Sequence, residues 1–121
     1  MAGSRIILTA LAAPAAFLAL PALAETPQQL DTLSRATDKA DAGIALARRQ
    51  IGKGALLDAM ATLERVLFNF PENDSARALH AGLFCRIGDR RGATVEFDTL
   101  RGSAVPASIS DEARAPCRAG G

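Results

Sequence analysis

An all-α fold is predicted for this 121-residue chain by three observations. Apolar residues recur at helical spacing through most of its length, and no stretch alternates β-branched and polar residues as a strand does. The third observation is a self-similarity of period 34: Gly54 recurs as Gly88, Ala59 as Ala93, Leu63 as Phe97 and Val66 as Leu100. Small residues at turns and bulky ones on one helical face, repeated at this interval, belong to stacked helix-turn-helix units, which bury their apolar faces only against neighbours.

The first segment, Met1 to Ala24, has the layout of a secretory signal peptide. Arg5 is the positive start and Ile6 to Leu20 the apolar stretch. Ala22-Leu23-Ala24 offers small residues where a signal peptidase reads, which places the cut before Glu25. The competing reading, a membrane anchor, needs about 20 apolar residues, whereas this run is shorter and contains Pro14 and Pro21. No cysteine stands near the cut to carry a lipid. Residues 25–121 make one small domain, with a core limited enough for a staple or a partner to matter. Removing Arg5 leaves 13 basic residues against 13 acidic ones. A formal charge of zero argues against nucleic acid or an anionic membrane as the main partner.

Each helix has its own signals. A polar extension over 25–39 is expected to be partly helical, with Thr26 as cap and Pro27 at the first helical position. The first firm helix is expected over Leu33 to Ile51. Gly52-Lys53-Gly54 then supplies the left-handed backbone of a helix exit. A second helix from Ala55 to Phe70 carries Leu56, Ala59, Met60, Leu63, Val66 and Leu67 at the spacing of a buried stripe. Pro71-Glu72-Asn73-Asp74 breaks it and offers Asn73 or Asp74 as the next N-cap. A third helix covers Ser75 to Ile87, Gly88 ends it, and a fourth covers Arg90 to Arg101. Gly102 to Ala107 is a linker, and Ser110 is expected to cap a short last helix that Pro116 limits.

These residues resemble the tetratricopeptide repeat (TPR) family. Two units fit in register, Ala40 to Asn73 and Asp74 to Ala107, within 40–107, followed by a capping helix and tail over 108–121. The small residues that let the two helices of a unit approach closely are matched by Ala47 and Ala81 on the first helices and Ala59 and Ala93 on the second. Gly54 and Gly88 match the glycine of the turn, and Pro71 the proline that closes a unit. The first unit departs from the pattern at Gln50, where a large aromatic is usual and where Phe84 stands in the second. Pro106 comes one residue late. The bland alternative is an unrelated pair of helical hairpins with alanines at the contacts.

The resemblance implies a right-handed stack whose concave side, formed by the first helix of each unit, holds a protein or peptide. By register that side carries Asp41, Ile44, Arg48, Ile51, Ser75, Ala78, Gly82 and Cys85, with Arg86 at its edge. The Lys, Asn and Arg set with which some members clamp a peptide carboxylate is not supplied by Ile44, Ala78 and Gly82. Arg48 and Arg86 are suited to an acidic group on a partner; solvated surface charge is the competing reading of each.

Cys85 and Cys117 are the only cysteines, and an exported chain meets an oxidising compartment, so a disulfide holding the C-terminal cap is expected. No Cys-x-x-Cys is present to suggest redox catalysis. The lone His80 reads as a packed imidazole on the inner side of the third helix, since metal sites need several ligands at tight spacing. Asp111-Glu112 reads as first-turn charge favoured by the helix dipole, and Arg90-Arg91 as a solvated helix start. With no nucleophile motif, no phosphate-binding glycine loop, and no Trp or Tyr, an enzyme is not expected, nor is a cofactor or metal. The expected function is that of a periplasmic adaptor binding a cell-envelope protein through a helical surface. The alternative is a structural subunit that self-assembles through its repeats, since two units are few for independent stability. A small redox or metal protein is a third reading, requiring free or metal-bound thiols.

Overall fold

A computed structural model describes residues 26–120 as six helices: α1 Pro27–Ala36, α2 Ala40–Gly52, α3 Leu56–Asn69, α4 Asp74–Arg86, α5 Arg90–Thr99 and α6 Ala107–Ala119. The fold is all-α and repeat-like, with no strand among the described residues. The stretch expected to be a signal peptide, residues 1–24, lies outside the described residues.

The 34-residue period seen in the sequence governs the backbone. Helices α2 and α4 each run 13 residues, and both α4 and α5 begin 34 positions after their counterparts α2 and α3. The turns match bond for bond. Gly54 and Gly88 hold φ of 74° and 85°, which lets the following amides, Ala55 and Asp89, reach back to the Gln50 and Phe84 carbonyls at 2.9 and 2.8 Å. Those bonds satisfy carbonyls that the helix end leaves without partners. The next helix is capped in one case by Asp89, whose carboxylate accepts from the Gly92 amide at 2.8 Å. Asn73 caps α4 in the same way through the Ala76 amide at 2.9 Å.

Packing follows from the small residues. Ala47, Ala59 and Ala81 are fully buried and Ala93 nearly so, so each unit closes with its two backbones near one another. The main core joins α2, α3 and α4 through Ile44, Leu63, Val66, Leu79 and Leu83, with Ile51, Met60, Leu67 and Phe70 around it. A second, smaller cluster of Ala78, Leu100 and Ala113 joins α4, the end of α5 and α6, with Phe97, Val105 and Ile109 against it.

Two boundaries differ from the sequence expectation. The helix predicted over Leu33 to Ile51 is two helices. Thr37 ends α1 by donating its hydroxyl to the Leu33 and Ser34 carbonyls at 2.8 and 3.1 Å, and Asn69 of α3 binds the Thr37 carbonyl at 3.3 Å. A tertiary hydrogen bond thus fixes a break that periodicity does not show. The extension is helical from Pro27 with Thr26 as its cap, as expected, held by a full capping box in which Thr26 and Gln29 bind each other's amides. The last helix starts at Ala107, three residues before Ser110, on bonds to the Pro106 carbonyl. It also runs through Pro116, which removes one backbone donor. The helix continues there because its final turn is tied to the rest of the domain, as described next.

Candidate functional site

Helix α6 is placed by three kinds of contact. Cys117 is joined to Cys85 of α4 by a disulfide with Cα atoms 5.0 Å apart, so the expected staple is present. Arg90, at the start of α5, donates to the carbonyls of Cys117 and Gly120. That arginine is therefore a C-terminal cap of α6 and not the solvated helix start read from the sequence. Toward its N-terminal half, Glu112 takes both arms of the Arg48 guanidinium, Nη2 to Oε2 at 2.7 Å and Nε to Oε1 at 3.2 Å. Glu112 is accordingly an inter-helix partner in the second turn, since the helix begins earlier than expected.

The seat of α6 is made of small residues. Gly82 of α4 faces the Ala113 backbone so closely that a Cβ added to it would lie 2.5 Å from the Ala113 oxygen and 3.0 Å from its Cα. Ala78 is buried beside it. Only about 10 Å³ of free space remains between α6 and the wall formed by Ile51, Leu79, Gly82 and Arg86. That is room for no more than about one water. Arg114 on the other flank of α6 lies over the Phe97 ring at 4.4 Å, an arrangement in which cation and ring attract.

The residues predicted for the concave side therefore separate. Ala78, Gly82 and Cys85 form the α4 line on which α6 lies. Ile51 is half-buried at its edge, Arg48 is engaged by Glu112, and Arg86 is exposed beside the seat. Ile44 is a core residue, 9% exposed, because α2 turns it toward α3 and α4; it offers little surface to a partner. Asp41 is exposed in the first turn of α2 and Ser75 half-buried in the first turn of α4. The face expected to hold a partner is covered along α4 by the chain's own last helix. Neither periodicity nor register signals that docking. The pairing of Gly82 with Ala113 and of Cys85 with Cys117 is its trace in the sequence.

His80 is buried, facing α3 and α5. Its Nε2 lies 3.7 Å from Glu64 and its Nδ1 3.5 Å from Glu96, with neither nitrogen hydrogen-bonded. Its ring meets Phe84 edge-on at 4.8 Å, and Glu96 also holds Arg77 at 3.2 Å. This is a packed imidazole, but it faces α3 and α5 and not the inner side of α4 expected from register, which carries Ala78, Gly82 and Cys85. No group of three or more His, Cys, Asp or Glu suited to a metal is found among the described residues.

A separate cleft of about 410 Å³ opens between α1, α2 and α3, with Leu33, Leu46 and Ala61 at its floor and Gln28, Gln50 and Asp58 around it. It exists because α1 packs only lightly on α2, with no side chain of its own buried. Helix α3 also leaves Leu57 75% and Phe68 86% exposed.

Fold and site together define the class: a small all-helical, repeat-like domain whose last helix is stapled across its inner face. No protein-family model, curated protein or solved structure matches the chain. None of the described helices is long and apolar enough to cross a membrane, and the disulfide fits an oxidising compartment.

Proposed function

We propose that this chain is an exported TPR-type adaptor, cleaved before Glu25 and acting in the periplasm, that binds a protein of the cell envelope through its helical surface. The observation that carries the reading is the 34-residue recurrence of helix starts, turn bonds and buried alanines. Such an architecture uses its length to present continuous surface to a partner. The disulfide supports an oxidising destination. The near-neutral charge supports a protein partner over nucleic acid.

The self-assembling subunit is retained as a second reading on one observation, the exposed Leu57, Phe68 and Val95 on the outer helices α3 and α5. Exposed apolar side chains of this size favour association when they share a face. In-cell crosslinking of the exported chain separates the two. A discrete crosslink to another envelope protein, weakened by Arg86→Glu, is expected for the adaptor. Crosslinks only to itself, lost on Phe68→Glu and insensitive to Arg86→Glu, would replace it with the subunit.

A further inference from the structure

The hold of α6 on its seat is unusual in composition. Only Ala113 among its side chains is deeply buried, and Ile109, Pro116 and Cys117 are half-buried. The apolar side chains around Ala113 form a small cluster of Ala78, Leu100, Phe97, Val105 and Ile109. The main core of α2, α3 and α4 includes no α6 residue beyond a peripheral touch from Ile109. Covalent attachment through Cys85 and Cys117 adds to that cluster and to the Arg48–Glu112 pair in keeping α6 in place. Nevertheless the seat is specific. It reads Ile109, Glu112, Ala113, Pro116 and Cys117, which stand at the i, i+3, i+4, i+7, i+8 spacing of a helix laid in a groove.

We infer that the α2/α4 face is a helix-binding groove of which α6 is the resident ligand, and that opening the Cys85–Cys117 disulfide frees it for an amphipathic partner helix of the same pattern. The inference rests on the adaptor reading and specifies its surface. Its occupant is defined by three complementary features of the groove. A small residue must face Gly82, because the backbones touch there. An acidic residue just before it meets Arg48, and an apolar residue one turn earlier takes the place of Ile109 against the core. Arg86, unpaired beside the seat among the described ion pairs, is available for a second acidic group.

The step that opens the groove balances as thiol–disulfide exchange. A dithiol reductant attacks the Cys85–Cys117 bond, forms a mixed disulfide, and is released as its own disulfide, leaving both cysteines as thiols with two electrons and two protons gained. The linker of Gly102 to Pro106, with Gly102 at φ 84°, is the hinge about which α6 then swings, giving up the Arg90 bonds to its last turn and the Arg114–Phe97 contact.

The test is binding of a fluorescent peptide spanning 105–120 of this chain, with Cys117→Ser, to the full mature chain by anisotropy. The reduced chain is expected to bind at least tenfold more tightly than the oxidised one. Glu112→Arg in the peptide should weaken binding to the reduced chain, and Arg48→Glu in the chain, which repels the resident Glu112 and attracts the peptide's arginine, should restore it. A Cys85→Ser, Cys117→Ser chain, which lacks the bridge in either redox state, should bind the peptide as the reduced chain does. Equal binding in both redox states of the native chain, or failure of both the reduced chain and the double-serine chain to bind, overturns the proposal. A reduced chain that dimerises and excludes the peptide also overturns it, assigning the groove to α6 of a second copy. Because the probe is the chain's own segment, its result stands whether or not crosslinking finds an envelope partner.

Discussion

Gly82 shows how one missing side chain sets the architecture of the inner face. The α4 and α6 backbones approach only because no Cβ stands between them, and backbone atoms of a packed helix have little freedom to move aside. Gly82→Ala is expected to cost about 1–3 kcal/mol, seen as a lower denaturant midpoint in chemical unfolding. Gly52→Ala is the control: nothing lies within 4 Å of a Cβ there, and the change should leave stability equal or raised by about 0.5 kcal/mol. Equal losses at the two positions would mean that α6 is not seated on Gly82. Helical register sets the direction in which Gly82 faces, whereas what covers the glycine depends on a residue 31 positions away.

At the scale of elements, helix identities were legible and helix limits partly so. The stripe of α3 and the turns at Gly54 and Gly88 follow from local chemistry, as do the caps at Thr26 and Asn73. The break at Thr37 and the passage of α6 through Pro116 follow from tertiary bonds, and a window of neighbouring residues does not contain them. Helix α1 illustrates the division. Its start is written in Thr26-Pro27-Gln28-Gln29, while its loose attachment, through Asn69 to the Thr37 carbonyl and Arg65 to Ser34, is a matter of packing. Thr26→Ala should therefore act locally. It is expected to raise amide exchange across Gln28 to Ala36 by about fivefold, corresponding to roughly 1 kcal/mol for a lost cap, with the midpoint of global unfolding unchanged. A fall in the global midpoint of similar size would show that α1 unfolds with the core.

For the molecule as a whole, a small alanine-rich core is supplemented by one covalent staple. The bridge closes a segment with a sequence separation of 32, for which the chain-entropy model gives about 3–4 kcal/mol. Reduction is expected to lower the unfolding midpoint accordingly and to remove exchange protection from α6 first, while α2 to α5 keep their helical signal. Simultaneous loss of helix across the whole domain would instead show that α6 and the main core form one cooperative unit. The candidate surface divides along the same line. Arg86 remains exposed where the sequence placed it, whereas Arg48 is committed to Glu112 and Ile44 to the core.

The sequence by itself determined the helical class, the 34-residue unit, its turns and the cysteine pair, because each depends on local propensity, on backbone conformation or on the limited choice among two thiols. Only the tertiary structure decided that the inner face is filled by the last helix, that α1 stands apart around a cleft, and which arginine is paired. Those outcomes depend on how distant surfaces fit in shape and charge, and short-range patterns of residues carry little of that information.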